Sequence, residues 1–321
     1  MSISQYIKEI GRGKDGARPL AREQATDLMG QVLDGQVTDL EIGAFCLAMR
    51  IKGETPEEMA GFLDAVHARL NLQPAASTPT IVLPSYNGAR KLPLLTPLLG
   101  LLLARSGLNV LIHGTPTESR RVFITQVLDK LKIPQQYENQ AAAGVFNTGF
   151  ALKNIANDQN KALTGSLRFV PTEVLCPALK RLLDVRRVVG LRNPAHSLVK
   201  LMTPCQGQAL VVSSYTHPEY AISMAQTLAL TATSALLLRG TEGEAVADAR
   251  RMPQMDGFIH GERRLLQPAQ GGSLVSLPDV PKTPDAQITA DYIEAVLAGQ
   301  QAVPAPIAQQ VEHILHLVQQ L

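Results

Sequence analysis

The chain has 321 residues, of which 45% are hydrophobic and 18% charged, with a formal net charge of +2. That length carries one large domain or two ordinary ones with ample core, and the balance excludes a disordered chain. Three cysteines, Cys46, Cys176 and Cys205, are odd in number and lack metal-like or redox spacing, which suits a reducing cytosol. The opening run MSISQYIKEIGRGKD carries charge too early for a signal peptide. The longest apolar run, Leu92–Ala104, holds two prolines and is too short to cross a bilayer. A soluble cytoplasmic protein without a membrane partner is expected.

In chain order, Ile3, Tyr6, Ile7 and Ile10 predict a short helix ending before Gly11, and a second helix runs from about Arg22 to Leu33. Thr38 and Glu41 make a capping box, after which Ile42, Phe45, Cys46 and Met49 fall on one helical face. Thr55-Pro56-Glu57-Glu58 supplies the next start, with an N-cap, a proline at the first helical position and a second capping box. Residues 1–74 therefore read as a small helical domain, and its unmatched apolar stripes need a partner. A Pro/Ala/Ser/Thr linker leads into a larger unit, 75–321. There, apolar runs at Ile81–Leu83, Val110–Ile112, Leu167–Val170, Leu210–Ser213 and Ala235–Leu238 alternate with helices. That alternation predicts an α/β fold with a mostly parallel sheet flanked by helices. Ala141–Gly165 reads as a peripheral insertion and Arg264–Pro284 as a long connection. Helices over Asp285–Leu297 and Pro306–Leu321 close the chain. His313 and His316 have no third ligand near in sequence and read as packing or surface residues.

The loop after the first strand, Ser85-Tyr86-Asn87-Gly88-Ala89-Arg90-Lys91, sits where an α/β sheet binds anions. A diphosphate loop usually needs several glycines so that backbone amides can close on the oxygens. This loop has one glycine and two adjacent cations, so anion handling falls to side chains. Charge is also unevenly spread: net −3 over residues 1–70, +5 over 71–136, +4 over 137–264 and −4 over 265–321. Lys180, Arg181, Arg186, Arg187, Arg192 and Lys200 crowd one stretch with a single acid, Asp184. Two basic runs between acidic ends predict a polyanion-binding face.

Several segments resemble one family. Asp34–Phe62 resembles the N-terminal helices of the anthranilate phosphoribosyltransferases of glycosyltransferase family 3. His113-Gly114 matches the family's Lys-His-Gly-Asn element. Cys176–Pro204 matches its His-Pro-Ala-Met segment and arginine-bearing helix, and Thr216–Tyr220 and Gly240–Ala245 match two later landmarks. The resemblance runs nearly end to end apart from Ala141–Gly165. It implies a fold of the nucleoside phosphorylase/phosphoribosyltransferase class, with helices from about 174–190 joining the N-terminal domain.

The departures fall on the chemistry. The family's Gly-Thr-Gly-Gly-Asp loop is replaced by Ser85-Tyr86-Asn87-Gly88-Ala89, its lysine by Ile112 and its asparagine by Thr115. The paired magnesium-holding acids become Gly243-Glu244. Losing glycines, lysine and one acid together removes the means to neutralise a diphosphate leaving group. Ser85, Tyr86, Asn87, Gly88, His113, Gly114, Thr115 and Glu244 then form a vestigial substrate cleft with no catalytic residue assigned. No cofactor is expected, and magnesium only if transferase activity persists.

These patterns resemble a divergent branch of the family in which, the resemblance implies, homodimers joined through the N-terminal helices bind DNA and RNA without sequence preference. Such binding needs spread cations and no motif. Arg90, Lys91, Arg120, Arg121, Arg186, Arg187, Arg192, His196 and Lys200 are the candidates. His196 and Lys200 are expected one turn apart on the exposed side of a helix over about Pro194–Leu201, and Tyr86 is the one aromatic placed to stack. Blander roles stand beside these. Arg90/Lys91 could bind free phosphate, and Arg186/Arg187 could pair with Glu57, Glu58 or Asp184. His113 could be a satisfied, partly buried turn residue, and Glu242 and Glu244 could cap or weakly hold a cation. Cys176 reads as buried and inert. Two further function classes remain open: a transferase with a different donor, and a small-molecule or phosphate sensor that kept the cleft.

Overall fold

The computed structural model describes residues 2–13, 15–135, 165–273 and 278–321. The Ala141–Gly165 insertion lies outside the described residues apart from Gly165.

Four helices open the chain: α1 (Ser4–Ile10), α2 (Arg22–Leu33), α3 (Asp39–Lys52) and α4 (Pro56–His67). Both capping boxes form. Glu41 N–H donates to Thr38 Oγ1 at 3.3 Å and Thr38 N–H to Glu41 Oε2 at 2.9 Å; Glu58 and Thr55 make the same exchange at 3.2 and 2.9 Å. Glu58 is fully buried, so its charge needs a partner: Lys52 Nζ lies 2.6 Å away and Leu20 N–H donates at 2.9 Å.

Among the described residues the sheet has seven strands, in the order β3-β2-β1-β4-β5-β6-β7. β1 (Thr80–Pro84), β2 (Asn109–Gly114), β3 (Ser166–Pro171), β4 (Ala209–Tyr215) and β5 (Ala235–Arg239) are mutually parallel, as the alternation predicts. All five residues of β1 are buried, because a parallel sheet covered on both faces has no wet side. Between the strands lie α5 (Thr96–Arg105), α6 (Ile124–Lys130), α7 (Thr172–Leu175), α8 (Pro177–Val189), α9 (Ala195–Leu198) and α10 (Pro218–Leu230); α11 (Ala286–Leu297) and α12 (Ala305–Val318) close the described chain.

The predicted connection Arg264–Pro284 is corrected at its start. β6 (Met255–Ile259) and β7 (Glu262–Gln267) form an antiparallel hairpin on the sheet edge, and Arg264 lies within it. The two-residue turn His260-Gly261 has φ of 48° and 84°, the left-handed pair that joins tightly twisted antiparallel strands. The helix expected over Pro194–Leu201 is one turn, α9.

Alternate residues along each strand feed two cores. Val82, Leu111, Val170, Val211 and Leu237 face α1–α4 and α7–α9. Ile81, Leu83, Ile112, Leu210 and Leu238 face α5, α6, α11 and α12. The N-terminal helices thus share one apolar cluster with α8 and a face of the sheet. Strand order reverses direction between β1 and β4, so the loops after those strands flank a topological switch point, where α/β sheets place ligands.

Candidate functional site: a filled anion loop, a cationic cleft and a basic rim

The loop after β1 is held from inside by two carboxylates. Glu244 is 1% exposed and accepts from the Ser85 hydroxyl, from Gly88 N–H at 2.7 Å and from Thr96 Oγ1 at 3.2 Å. Burial pushes its carboxyl above the usual range, opposed by those donors and by the charge of Lys200. Glu242 Oε2 accepts the N–H groups of Arg90, Lys91 and Leu92 at 2.9, 3.1 and 3.3 Å. The backbone donors expected to be missing for want of glycines are therefore present, and the protein's own acids occupy them. Neither acid caps the segment that follows.

The missing second acid has a steric counterpart. Gly243 has φ +90°, and a Cβ there would lie 1.8 Å from Asn87 Nδ2, which itself donates to Glu242 O at 2.8 Å. Asn87 and an acid at 243 cannot share that space. No cluster of three His, Cys, Asp or Glu side chains suited to a metal occurs among the described residues. Glu244, the one retained acid, engages three protein donors through its oxygens. The residues present do not fit magnesium.

Across the switch point lies a cavity of about 580 Å³ between α3, α4, α9, α10 and the ends of β1 and β4. His196 and Lys200, predicted on an exposed face, line its floor at 5% and 8% exposure, because α9 is packed between α4 and α8. Lys200 Nζ donates to Ser214 O at 2.9 Å and Ser214 Oγ at 3.3 Å and lies 5.7 Å from the Tyr86 ring centroid. Burial lowers its pKa to about 8, with Glu244 opposing and Arg192 reinforcing. His196 Nε2 has no hydrogen-bond partner among the described residues, and burial, reinforced by Arg192, lowers the ring's pKa to about 4. Tyr86 is corrected too. It is 2% exposed, donates its hydroxyl to His196 O at 2.9 Å and is pushed up to about 12 by burial, so its ring offers no face to a base outside.

His113 is fully buried, not partly so, and neither ring nitrogen has a partner among the described residues; burial lowers its pKa to about 3. Gly114 and Thr115 follow it in the buried end of β2 and the start of the next loop. Cys176 is buried, and burial pushes its thiol up, as an inert cysteine requires.

The remaining cations converge on a rim around the strand ends. Ala89 and Val122 form an antiparallel bridge, which leaves Arg90 and Arg121 next along the two chains. Arg121 Nη1 donates to Gly88 O at 3.1 Å and pairs with Glu118 at 3.2 Å; Arg186 pairs with the same carboxylate at 2.7 Å. Arg187 pairs with Asp184 at 3.4 Å and reaches Pro116 O, and Arg192 Nη2 lies 3.5 Å from Asn87 Oδ1. Arg186 and Arg187 thus meet Glu118 and Asp184, not Glu57 or Glu58. Arg90, Lys91 and Arg120 are exposed, and none of their side chains makes an ion pair or hydrogen bond among the described residues. Of these cations, Arg121 and Arg186 pair with Glu118 and Arg187 with Asp184 among the described residues, and Arg192 also lines the cavity. Sequence spacing did not reveal the amide contacts of Glu242 and Glu244, which cross more than 140 positions of chain.

Residues 4–69 match the glycosyl transferase family, helical bundle domain. The fold is that of solved anthranilate phosphoribosyltransferases. The enzyme from Thermus thermophilus superposes with a TM-score of 0.66 at 18% identity over 98% of this chain and 97% of its own. The Saccharomyces cerevisiae enzyme, solved in complex with PRPP and Mg, gives 0.66 at 14% identity over 99% and 88%. The chain belongs to this glycosyltransferase family 3, anthranilate phosphoribosyltransferase-like family. Within it, the chain is 38% identical to the uncharacterised protein YbiB of Escherichia coli (strain K12), across 97% of this chain and 92% of YbiB. The anthranilate phosphoribosyltransferase of Streptomyces griseus is 25% identical over 92% and 78%.

Proposed function

We propose that this chain is a sequence-non-specific nucleic-acid-binding protein, working as a cytoplasmic homodimer on a phosphoribosyltransferase fold that no longer turns over its donor. The basic rim carries this reading. Arg90, Lys91, Arg120, Arg121, Arg186, Arg187 and Arg192 form one charged edge, and phosphate neutralisation by such cations is the main term in non-specific binding. The filled anion loop and the poor fit to magnesium weigh against the transferase reading, because the diphosphate's donors and its counter-ion site are both taken. With Tyr86 enclosed, contact falls on the sugar-phosphate backbone, and DNA and RNA are bound alike.

The homodimer reading rests on α3. Leu40, Leu47 and Ile51 are 85%, 45% and 54% exposed along one side of it, a stripe that a second copy covers isologously. Two copies double the rim, and avidity raises affinity for a long polyanion. No described helix is long and apolar enough to cross a membrane.

The test is binding of labelled duplex DNA and of RNA across a salt series. If five to seven phosphates are engaged, log K against log salt has a slope of about −4.5 to −6 on duplex DNA. Absent or salt-insensitive binding overturns the proposal. It would favour the sensor reading, for which the cavity lined by Lys200, His196 and Arg192 is the supporting observation.

A further inference from the structure

Glu242 holds an arrangement that neither a cap nor a surface acid requires. Three consecutive amides, those of Arg90, Lys91 and Leu92, converge on its Oε2. Successive N–H groups aimed at one point make an anion-binding concavity, the geometry by which backbone holds phosphate oxygens. The occupant is itself under strain: Glu242 has φ +53° and ψ 21°, a left-handed conformation that costs a residue with a Cβ. Its side chain is only half-buried, so the concavity opens to solvent. The Arg90 and Lys91 side chains flank it, exposed and without partners among the described residues. Arg250, bonded to Asp248, lies near enough to feel the Glu242 charge.

We infer that the amides of Arg90, Lys91 and Leu92 form a phosphate site for which Glu242 is the built-in occupant, displaced when a nucleic-acid phosphate arrives. This rests on the nucleic-acid reading only for the source of the phosphate. A phosphate supplies several acceptor oxygens and can engage the three amides together with the Arg90 and Lys91 side chains, which Glu242 leaves unused. Glu242 competes as a tethered group at high effective concentration. Free phosphate in solution therefore loses to it, while a strand already held along the rim presents phosphates at comparable local concentration. Glu242 thus sets a threshold favouring polymer over free phosphate.

The experiment compares wild type with Glu242→Ala, with Glu242→Gly, which also relieves the left-handed strain, and with Asp184→Asn, which removes a rim charge that holds no backbone amide. Melting is followed with inorganic phosphate and with pyrophosphate, and DNA binding is measured in parallel. Wild type and Asp184→Asn should show no phosphate-dependent rise in melting temperature, whereas both Glu242 variants should. The Glu242 variants should bind DNA on the order of tenfold more tightly than wild type, about 1.4 kcal/mol, and clearly more tightly than Asp184→Asn. If neither Glu242 variant responds to phosphate or pyrophosphate, or if wild type responds equally, the site is wrong. A phosphate response without any DNA binding keeps the site and discards the polymer, so the two proposals fail separately.

Discussion

The loop after β1 and the cleft beside it solve the same electrostatic problem in opposite ways. Both lie at the switch point, where α/β sheets place ligands. In the loop, the donors are backbone amides and a hydroxyl, and Glu244 and Glu242 satisfy them internally. In the cleft, the positive groups are side chains, and no carboxylate forms an ion pair with Lys200 among the described residues. The loop's donors are satisfied, while the cost of burial in the cleft shows as depressed pKa values at Lys200 and His196. Where the buried Glu244 takes the place of an external anion the loop becomes a structural element, whereas the half-buried Glu242 occupies the end that we infer a phosphate can take. The accessible positive charge then lies farther out, on the rim.

The contrast can be broken most forcefully at Glu244. Replacing it with alanine strands the Ser85 hydroxyl, Gly88 N–H and Thr96 hydroxyl in the interior and removes the charge that offsets Lys200. Denaturant unfolding should report a loss of about 3–5 kcal/mol. A loss below about 1 kcal/mol would mean that the carboxylate is not what holds the loop.

The next effect is a dependence on pH. His113 and His196 have folded pKa values lowered to about 3 and about 4, below the ordinary 6.5. The unfolded chain therefore takes up protons first as pH falls, and stability declines from about pH 6.5 down to each folded value. Each histidine contributes at most about 1.4 kcal/mol per pH unit. His113→Leu, which removes an imidazole whose two nitrogens have no partner among the described residues, should flatten the profile between about pH 6.5 and 4.5 and leave stability at pH 7 within about 1 kcal/mol of wild type. An unchanged acid slope would show that His113 is already charged or paired.

The smallest effect separates rim from cleft. Reversing Arg90 and Lys91 together to glutamate should weaken DNA binding by about tenfold or more and make the salt slope less steep by about two. Lys200→Met, on the cleft floor, should leave DNA affinity within about twofold, since Lys200 is buried and its ammonium is bonded to Ser214. Equal losses from both changes would move the polymer into the cleft.

Most of the architecture was legible because it rests on local chemistry. Thr38/Glu41 and Thr55/Glu58 announce helix starts through contacts three residues apart, and the apolar runs from Ile81 to Leu238 announce buried strands. In the β6–β7 hairpin His260-Gly261 is a usable two-residue turn signal, but the Gly and Pro of the following stretch make its last residues, from Arg264, read as part of a long connection. The site was legible only in part. The sequence offers the cations as a group, but Arg90 and Lys200 look alike as letters, and only the fold separates the exposed one from the buried one.

By itself, then, the sequence determined the capped helices, the parallel strands, the family and the loss of the glycine-rich loop and of the second acid, all of which depend on residue type and short spacing. Only the tertiary structure decided that Lys200, His196 and Tyr86 are enclosed while Arg90, Lys91 and Arg120 are not, and that Glu242 and Glu244 fill the anion loop. Burial and hydrogen-bond partnership are set by groups brought together across some 150 residues, and the same charge is costly or accessible according to what the fold packs beside it.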